Sequence, residues 1–269
     1  MDLELAALHS IATGTAAPNH PLNPKDTTLF DVHRANHRMA TADPEAIVRW
    51  AVTEFGERLA LSSSFGAHSA AMLHLVTRIA PRVPIIFVDT GYLFPETYRF
   101  AEELRERFSL NLHVYSPRFT TARLEATEGK LWEQGEHAVR RYLTLNKVEP
   151  MQRALRELGV RAWLAGLRAS QTEHRRSLRK VEVQDSRVKV HPILDWTTAD
   201  VDAYLAEHDL PYHPLYHEGY RSIGDWHSTQ PVAPDEDERA GRLLGVKREC
   251  GLHLPTTDEE NQSLTSSRL

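Results

Sequence analysis

A doubly wound α/β domain with a mostly parallel sheet is what this sequence predicts, on three observations. Short apolar strands bounded by turns alternate with amphipathic helical stretches from residue 45 to Pro211. The runs VPIIFVDTG and VRAWLAGLR are apolar without alternation, as in strands covered on both faces. Turns rich in hydroxyls and glycine stand where strands give way to helices.

Taken in order, residues 1–44 form an N-terminal extension, with a proline-bearing loop, TGTAAPNHPLNPKD, and a short helical stretch, DVHRANHRMAT. Asp43 then reads as an N-cap with Pro44 in the first helical position, and Ile47, Val48, Ala51 and Phe55 fall on one face. RLALSSSFG with AHSAAMLHLVTRIA, and VPIIFVDTG with PETYRFAEELRERFS, are two strand-then-helix units. NLHVYSP is a third strand, and the helix VEPMQRALRELG leads into the strand VRAWLAGLR. The strand VKVHPILDW and the helix TTADVDAYLAEHD close the pattern, giving an α/β domain over 45–215. After Pro211 the periodicity fades, and 216–269 reads as a C-terminal tail with an acidic run at 235–238.

Composition narrows the function. The chain has 269 residues, is 41% hydrophobic, and carries a formal charge of -5, which gives no bulk attraction for nucleic acid or an anionic membrane. No apolar run approaches the ~20 residues that span a bilayer, and MDLELAALHSIATG lacks the basic start of a secretory signal. A cytoplasmic setting is expected. The single cysteine excludes an internal disulfide framework and a cysteine-ligated iron–sulfur cluster. His213 and His217 are separated by Pro214, and Cys250 and His253 stand at CxxH spacing, but no third or fourth ligand is marked, so no metal is expected.

In open parallel sheets ligands bind at the carboxyl ends of strands. The candidates are therefore Ser62, Ser63, Ser64, Phe65 and Gly66; Asp89, Thr90 and Gly91; and Gly166, Leu167 and Arg168. Free N–H groups, hydroxyls and a glycine at a strand-to-helix turn suit an anion, although SSSFG alone reads first as a serine-rich cap and turn. It is neither a Walker A loop nor a GxGxxG fingerprint. DTGY offers an acceptor for a ribose or adenine donor, or simply a connection. RASQTEHRRSLRK, from Arg168 to Lys180, is strongly basic, and arginine forks suit phosphate and sulfate. Around Cys250, Lys247, Arg248 and His253, with Arg239 and Arg242 upstream, would favour a thiolate, and polar flanks fit a core position badly.

LSSSFGAHSA, VDTGYLFPETYRFAEELRERFSLNLHVY, GKLWEQG, NKVEPMQRAL, WLAGLRASQ, HPILDW, YHPLYHEGYRSIGDWH and KRECGLH, in this order, resemble the thioredoxin-dependent 3′-phosphoadenylyl-sulfate (PAPS) reductases. The resemblance spans residues 55–253. It implies a Rossmann-like sheet of the adenine-nucleotide α-hydrolase type with a modified PP-loop at Ser62–Gly66. Where ATP-cleaving relatives carry SGGxDS, this chain has SSSFGAHS, which argues against ATP hydrolysis. It further implies that the SSSFG, DTG and Arg168 loops hold the nucleotide, with Arg175 matching more weakly. Lys147, Arg168, Arg239, Arg242 and His253 match positions at the sulfate end, Cys250 matches the nucleophile, and Tyr220 matches a tyrosine implicated in activity.

The implied reaction forms S-sulfocysteine on Cys250, which thioredoxin or glutaredoxin resolves to sulfite. Adenylyl-sulfate (APS) reductases usually hold a [4Fe–4S] cluster by paired cysteines, one pair of which falls in the region corresponding to SIGDWHST. The absence of cysteine there implies the cluster-free, PAPS-using branch, with no bound cofactor. A homodimer is expected from the family. The alternatives are a cluster-free adenylyl-sulfate reductase, a PP-loop ATP pyrophosphatase and a nucleotide-binding module.

Overall fold

The structure, a computed structural model, describes residues 30–233 and 236–242. Its sheet is made of six short strands: β1 (Leu59–Ser62), β2 (Ile85–Val88), β3 (Leu112–Tyr115), β4 (Ala162–Ala165), β5 (Val181–Gln184) and β6 (Arg187–Val190). The order is β3-β2-β1-β4-β6-β5. All neighbours run parallel except β5 and β6, which pair antiparallel. Leu61 stands beside both Ile85 and Leu164, which fixes β1 at the centre.

Successive side chains of a strand point to opposite faces, and both faces here are apolar. Leu59, Leu61, Ile85 and Leu164 enter the larger core with Ile47, Val48 and Ala51 of helix α2 (Pro44–Phe55) and Leu73 and Val76 of α3 (Ser69–Ile79). Ala60, Ile86, Trp163 and Ala165 meet Met151, Ala154 and Leu155 on the other face. This two-sided covering is why the strands read as unbroken apolar runs. The expected cap of α2 is present, Asp43 accepting from the Ala46 N–H at 2.7 Å.

Three regions go beyond the sequence pattern. The helix α1 (Val32–Met39) docks on β5, where Asn36 donates to the Val181 carbonyl at 2.7 Å and accepts from its N–H at 3.1 Å. Between α4 (Pro95–Arg107) and β4, helices α5 (Thr121–Glu128) and α6 (Glu136–Leu143) precede α7 (Glu149–Glu157), and a π-helical turn, Thr144–Val148, joins α6 to α7. β5 and β6 form a hairpin whose turn residues, Asp185 and Ser186, both have positive φ (49° and 62°), as a type I′ turn requires.

Beyond α8 (Glu173–Arg176) and α9 (Thr198–Glu207), the fading periodicity corresponds to short 3-10 turns at Pro214–Glu218 and Trp226–Ser228. These are not loose: Leu215, Tyr216 and Ile223 pack on Ala67, and isolated bridges join Leu93 to Asp225 and Thr229 to Arg242. Among the described residues no helix is long and apolar enough to cross a membrane.

Candidate functional site

Strand order reverses direction between β1 and β4, and the crevice beyond the carboxyl ends of such a pair is the standard ligand position in open α/β sheets. A cavity of about 220 Å³ opens there. Ser62, Ser63, Ser64 and Gly66 line it after β1, Thr90 after β2, and Gly166, Leu167 and Arg168 after β4. Lys147 comes from the π-helical turn, Arg175 from α8, and Arg239 and Arg242 from the last described segment. Twelve residues marked in the sequence therefore line one cavity.

The serine loop is held by main-chain and side-chain bonds. Ser63 N–H donates to the Ile86 carbonyl at 3.0 Å, and Ser63 Oγ accepts from Phe65 N–H at 3.2 Å. Phe65 adopts a φ of +48° and drives its ring into the core beside Phe87, at 4.8 Å between centroids. It thus shapes the loop through its backbone, and its side chain is not on the cavity wall. A methyl on Gly66 would stand 3.5 Å from Ser64 Oγ and 3.7 Å from the Ile223 carbonyl, ordinary contact distances, so the loop has room for a side-chain carbon there.

Asp89, Gly91 and Tyr220 also lie off the wall, each for a visible reason. Asp89 accepts from Gly91 N–H at 2.8 Å and from the Tyr98 hydroxyl at 2.7 Å, so its carboxylate braces the loop. Gly91 has a φ of +75°, and a methyl on it would stand 2.6 Å from Thr121 Cγ2; it is a turn residue. Tyr220 packs edge-on against Phe94 with centroids 5.5 Å apart. Cys250 and His253 lie outside the described residues.

The basic run after β4 divides between site and scaffold. Arg168 is 2% exposed, donating to Thr198 Oγ1 and to Glu238, both at 3.0 Å. Arg175 is buried beside it and bonded to Gln171. Arg176 pairs with Glu173 on the surface. Lys180 reaches the carbonyls of Met39, Ala40 and Ala42 at the end of α1 and serves the scaffold. Arg239 donates to Ser222 Oγ at 3.2 Å, and the Arg242 guanidinium occupies the space a side chain at Gly224 would need.

Residues the sequence did not mark complete the wall: His68, Gln171, Arg221, Ser222, Ile223 and Gly224. RSIG shows no helix or strand period, and its part in the resemblance was its only signal. The wall carries Lys147, Arg168, Arg175, Arg221, Arg239 and Arg242, with the carboxylates of Asp225 and Glu238 set against Lys147 and Arg168. A small concave site with forked cations and serine hydroxyls suits a polyanionic nucleotide.

Electrostatics sharpen this. Burial pushes His68 down to about 4, and the neighbouring Arg168 charge adds to the effect. Burial also lowers His213 and His227 to about 4. These rings are neutral in the fold and titrate near 6.5 when unfolded. Between those values the unfolded chain binds protons that the fold refuses. Their contribution is fully present above pH 6.5 and is lost as pH falls toward 4. Urea midpoints are expected to drop between pH 7.5 and pH 5, by on the order of several kcal/mol in stability. A midpoint that holds or rises at pH 5 would contradict this account of the three histidines.

Comparison with known proteins agrees with the geometry. A family-wide profile of the phosphoadenosine phosphosulfate reductase domain matches residues 58–231. A phosphoadenosine 5′-phosphosulfate reductase of Synechocystis sp. is 51% identical over 244 residues, 90% of this chain and 98% of that protein. One from Alkalilimnicola ehrlichii is 53% identical over 223 residues, 83% of this chain and 91% of that protein. Among solved structures, the phosphate complex of phosphoadenylyl-sulfate (PAPS) reductase from Candida auris is 35% identical, with a TM-score of 0.66, over 74% of this chain and 96% of that one. The FMN adenylyltransferase of Candida glabrata shares the fold at 15% identity and a TM-score of 0.51, over 91% of this chain and 86% of that one. The chain belongs to the phosphoadenosine phosphosulfate reductase family.

Proposed function

We propose that this chain reduces 3′-phosphoadenylyl sulfate to sulfite and adenosine 3′,5′-bisphosphate by thiol displacement at Cys250. The observation that carries the reading is the cavity at the β1–β4 switch point, walled by six cations and the serine loop. Family membership supports the same substrate class.

The Cys250 thiolate attacks the sulfate sulfur. An S–S bond forms, the sulfur–oxygen bond to the adenylyl phosphate breaks, and the bisphosphate leaves with the bonding pair. Lys147, Arg168, Arg239 and Arg242 offset charge on the sulfonate and the departing phosphate, a contribution of up to ~3 kcal/mol for each well-placed donor. Cys250 lies eight residues beyond Arg242, and eight extended residues span at most about 29 Å. A cysteine carried on that length of chain reaches the cavity that Arg242 lines.

The sequence contains no second cysteine to resolve S-sulfocysteine. An external dithiol of the thioredoxin or glutaredoxin type attacks Cys250 Sγ, sulfite leaves, and the partner's second thiolate closes its own disulfide while freeing Cys250. The two electrons that reduce the sulfur come from that dithiol. His253 and Tyr220 act beside the nucleophile in this reading, and the chain assembles as a homodimer.

Intact mass spectrometry after incubation without reductant tests the scheme. PAPS is expected to add one sulfonate group, on Cys250, and reduced thioredoxin to release it as sulfite. Loading by adenylyl sulfate instead would reassign the substrate, and pyrophosphate release from ATP would reassign the reaction.

A further inference from the structure

Lys147 is 6% exposed, and an ammonium taken that far out of water needs a counter-charge close by. It has one in Asp225, which is fully buried with Oδ2 2.6 Å from Lys147 Nζ. The other oxygen, Oδ1, accepts from Thr90 Oγ1 at 2.6 Å, and Thr90 Oγ1 accepts in turn from Tyr92 N–H at 3.2 Å. The Asp225 backbone is fixed as well. It bridges to Leu93, and the next N–H, of Trp226, donates to the Tyr92 carbonyl at 2.8 Å. The carboxylate therefore cannot swing away from Lys147 without breaking the loop after β2.

We propose that Asp225 is a positioning residue, which holds the Lys147 ammonium at the cavity wall through an ion pair anchored on Thr90. The inference rests on the reading of Lys147 as a substrate contact. Geometry argues for it on two counts. Lys147 is presented by a π-helical turn, a local widening of the helix that recurs at functional sites. Thr90 and Lys147 both line the cavity, so the Asp225 carboxylate lies directly behind two wall residues.

The surroundings leave Asp225 as the counter-charge. From α6, the Tyr142 hydroxyl faces it, and burial together with the Asp225 charge pushes that phenol well above its ordinary range. Tyr92 is raised by burial and by Glu125, whose carboxylate accepts its hydroxyl at 3.0 Å. Tyr98, from α4, is raised by burial and by Asp89. His227, from the adjacent 3-10 turn, is neutral near pH 7, lowered by burial, with the Lys147 and Arg242 charges acting in the same direction. Burial would raise the Asp225 carboxyl, yet the Lys147 charge, with bonds from Lys147 and Thr90, holds it below its usual value. Around neutral pH Asp225 is therefore a carboxylate set against the Lys147 side chain.

Removing the carboxylate charge leaves a desolvated ammonium without that counter-charge, and such an ammonium loses its proton at lower pH. Binding of adenosine 3′,5′-bisphosphate, measured by calorimetry from pH 7 to 9.5, reads this directly. Asp225→Asn is expected to bind roughly tenfold more weakly at pH 7.5. Its affinity should fall further with a midpoint about one pH unit or more below that of the unsubstituted chain. Lys147→Met should weaken binding by a similar factor without that added alkaline loss.

Asp225→Asn with an unshifted pH profile, beside a weakened Lys147→Met, would overturn the role of Asp225 alone. Lys147→Met binding like the unsubstituted chain would overturn the site reading beneath it. If Asp225→Asn does not fold, the double variant Lys147→Met/Asp225→Asn removes the orphaned charge and keeps the shapes. Affinity equal to that of Lys147→Met supports the coupling, and a further independent loss sinks it.

Discussion

Replacing Cys250 by serine is expected to lower sulfite release by at least ~10³-fold while nucleotide affinity stays within about threefold. A free cysteine thiol is already a few per cent thiolate near neutral pH and intrinsically nucleophilic, and the basic residues Lys247, Arg248 and His253 that flank Cys250 in the sequence favour that form. A serine hydroxyl is almost wholly protonated there, and a sulfate ester on it offers no S–S bond for an external dithiol to cleave. Both half-reactions therefore fail together. Affinity survives because the described residues of the wall, from Leu61 to Arg242, all lie upstream of position 250 and bring six cations to it. Sulfite assay and calorimetry on the same sample separate the two effects. Near-normal sulfite production by Cys250→Ser would end the covalent scheme, whereas loss of both activity and binding would assign Cys250 to the scaffold.

Much of the fold was legible because the central strands are covered on both faces. VPIIFVDTG cannot be read as anything but a buried strand, and Asp43-Pro44 declares a helix start. The β5–β6 hairpin was hidden because its turn uses Asp185-Ser186 where a glycine would ordinarily signal positive φ. Helix α6 was hidden for another reason. It runs into a π-helical turn and then α7 without a stop signal, so the apolar spacing drifts and no single 3.6 period fits.

The site divided along the same line. Loops that follow strands were found by position alone, and they supply Ser62, Ser63, Ser64, Thr90 and Arg168. Lys147 sits in a helix junction, so only its place in NKVEPM pointed to it. Asp225 and Gly224 come from a segment whose local sequence has no period, and their contribution depends on the 3-10 turns folding back across the strand ends. Charge misled in one direction. Lys180 looked like part of an anion clamp, but it reads the carbonyls at the end of α1; the favourable dipole at a helix carboxyl end makes that a natural place for a lysine.

Arg168→Met is expected to cut kcat/KM by roughly 10²–10³-fold and to lower stability by about 3 kcal/mol or more. The guanidinium is nearly inaccessible and supplies two directed bonds, to Thr198 and Glu238, beside the cavity. Its loss removes a forked cation from the wall and leaves the Glu238 carboxylate without that partner, where it repels an incoming phosphate. Glu238→Gln is the discriminating companion. It removes the competing charge but keeps Arg168 and the packing, so nucleotide affinity should hold or rise as Arg168→Met makes it fall. The ring of His68 reports the same field: Arg168 depresses it and Glu238 raises it. In Arg168→Met both influences favour protonation, so the His68 titration followed by NMR should move upward from about 4. In Glu238→Gln it should move down. Parallel losses of affinity in both variants, with His68 unmoved, would mean that the Arg168–Glu238 pair is only a strut for the last described segment and that the anion is bound elsewhere.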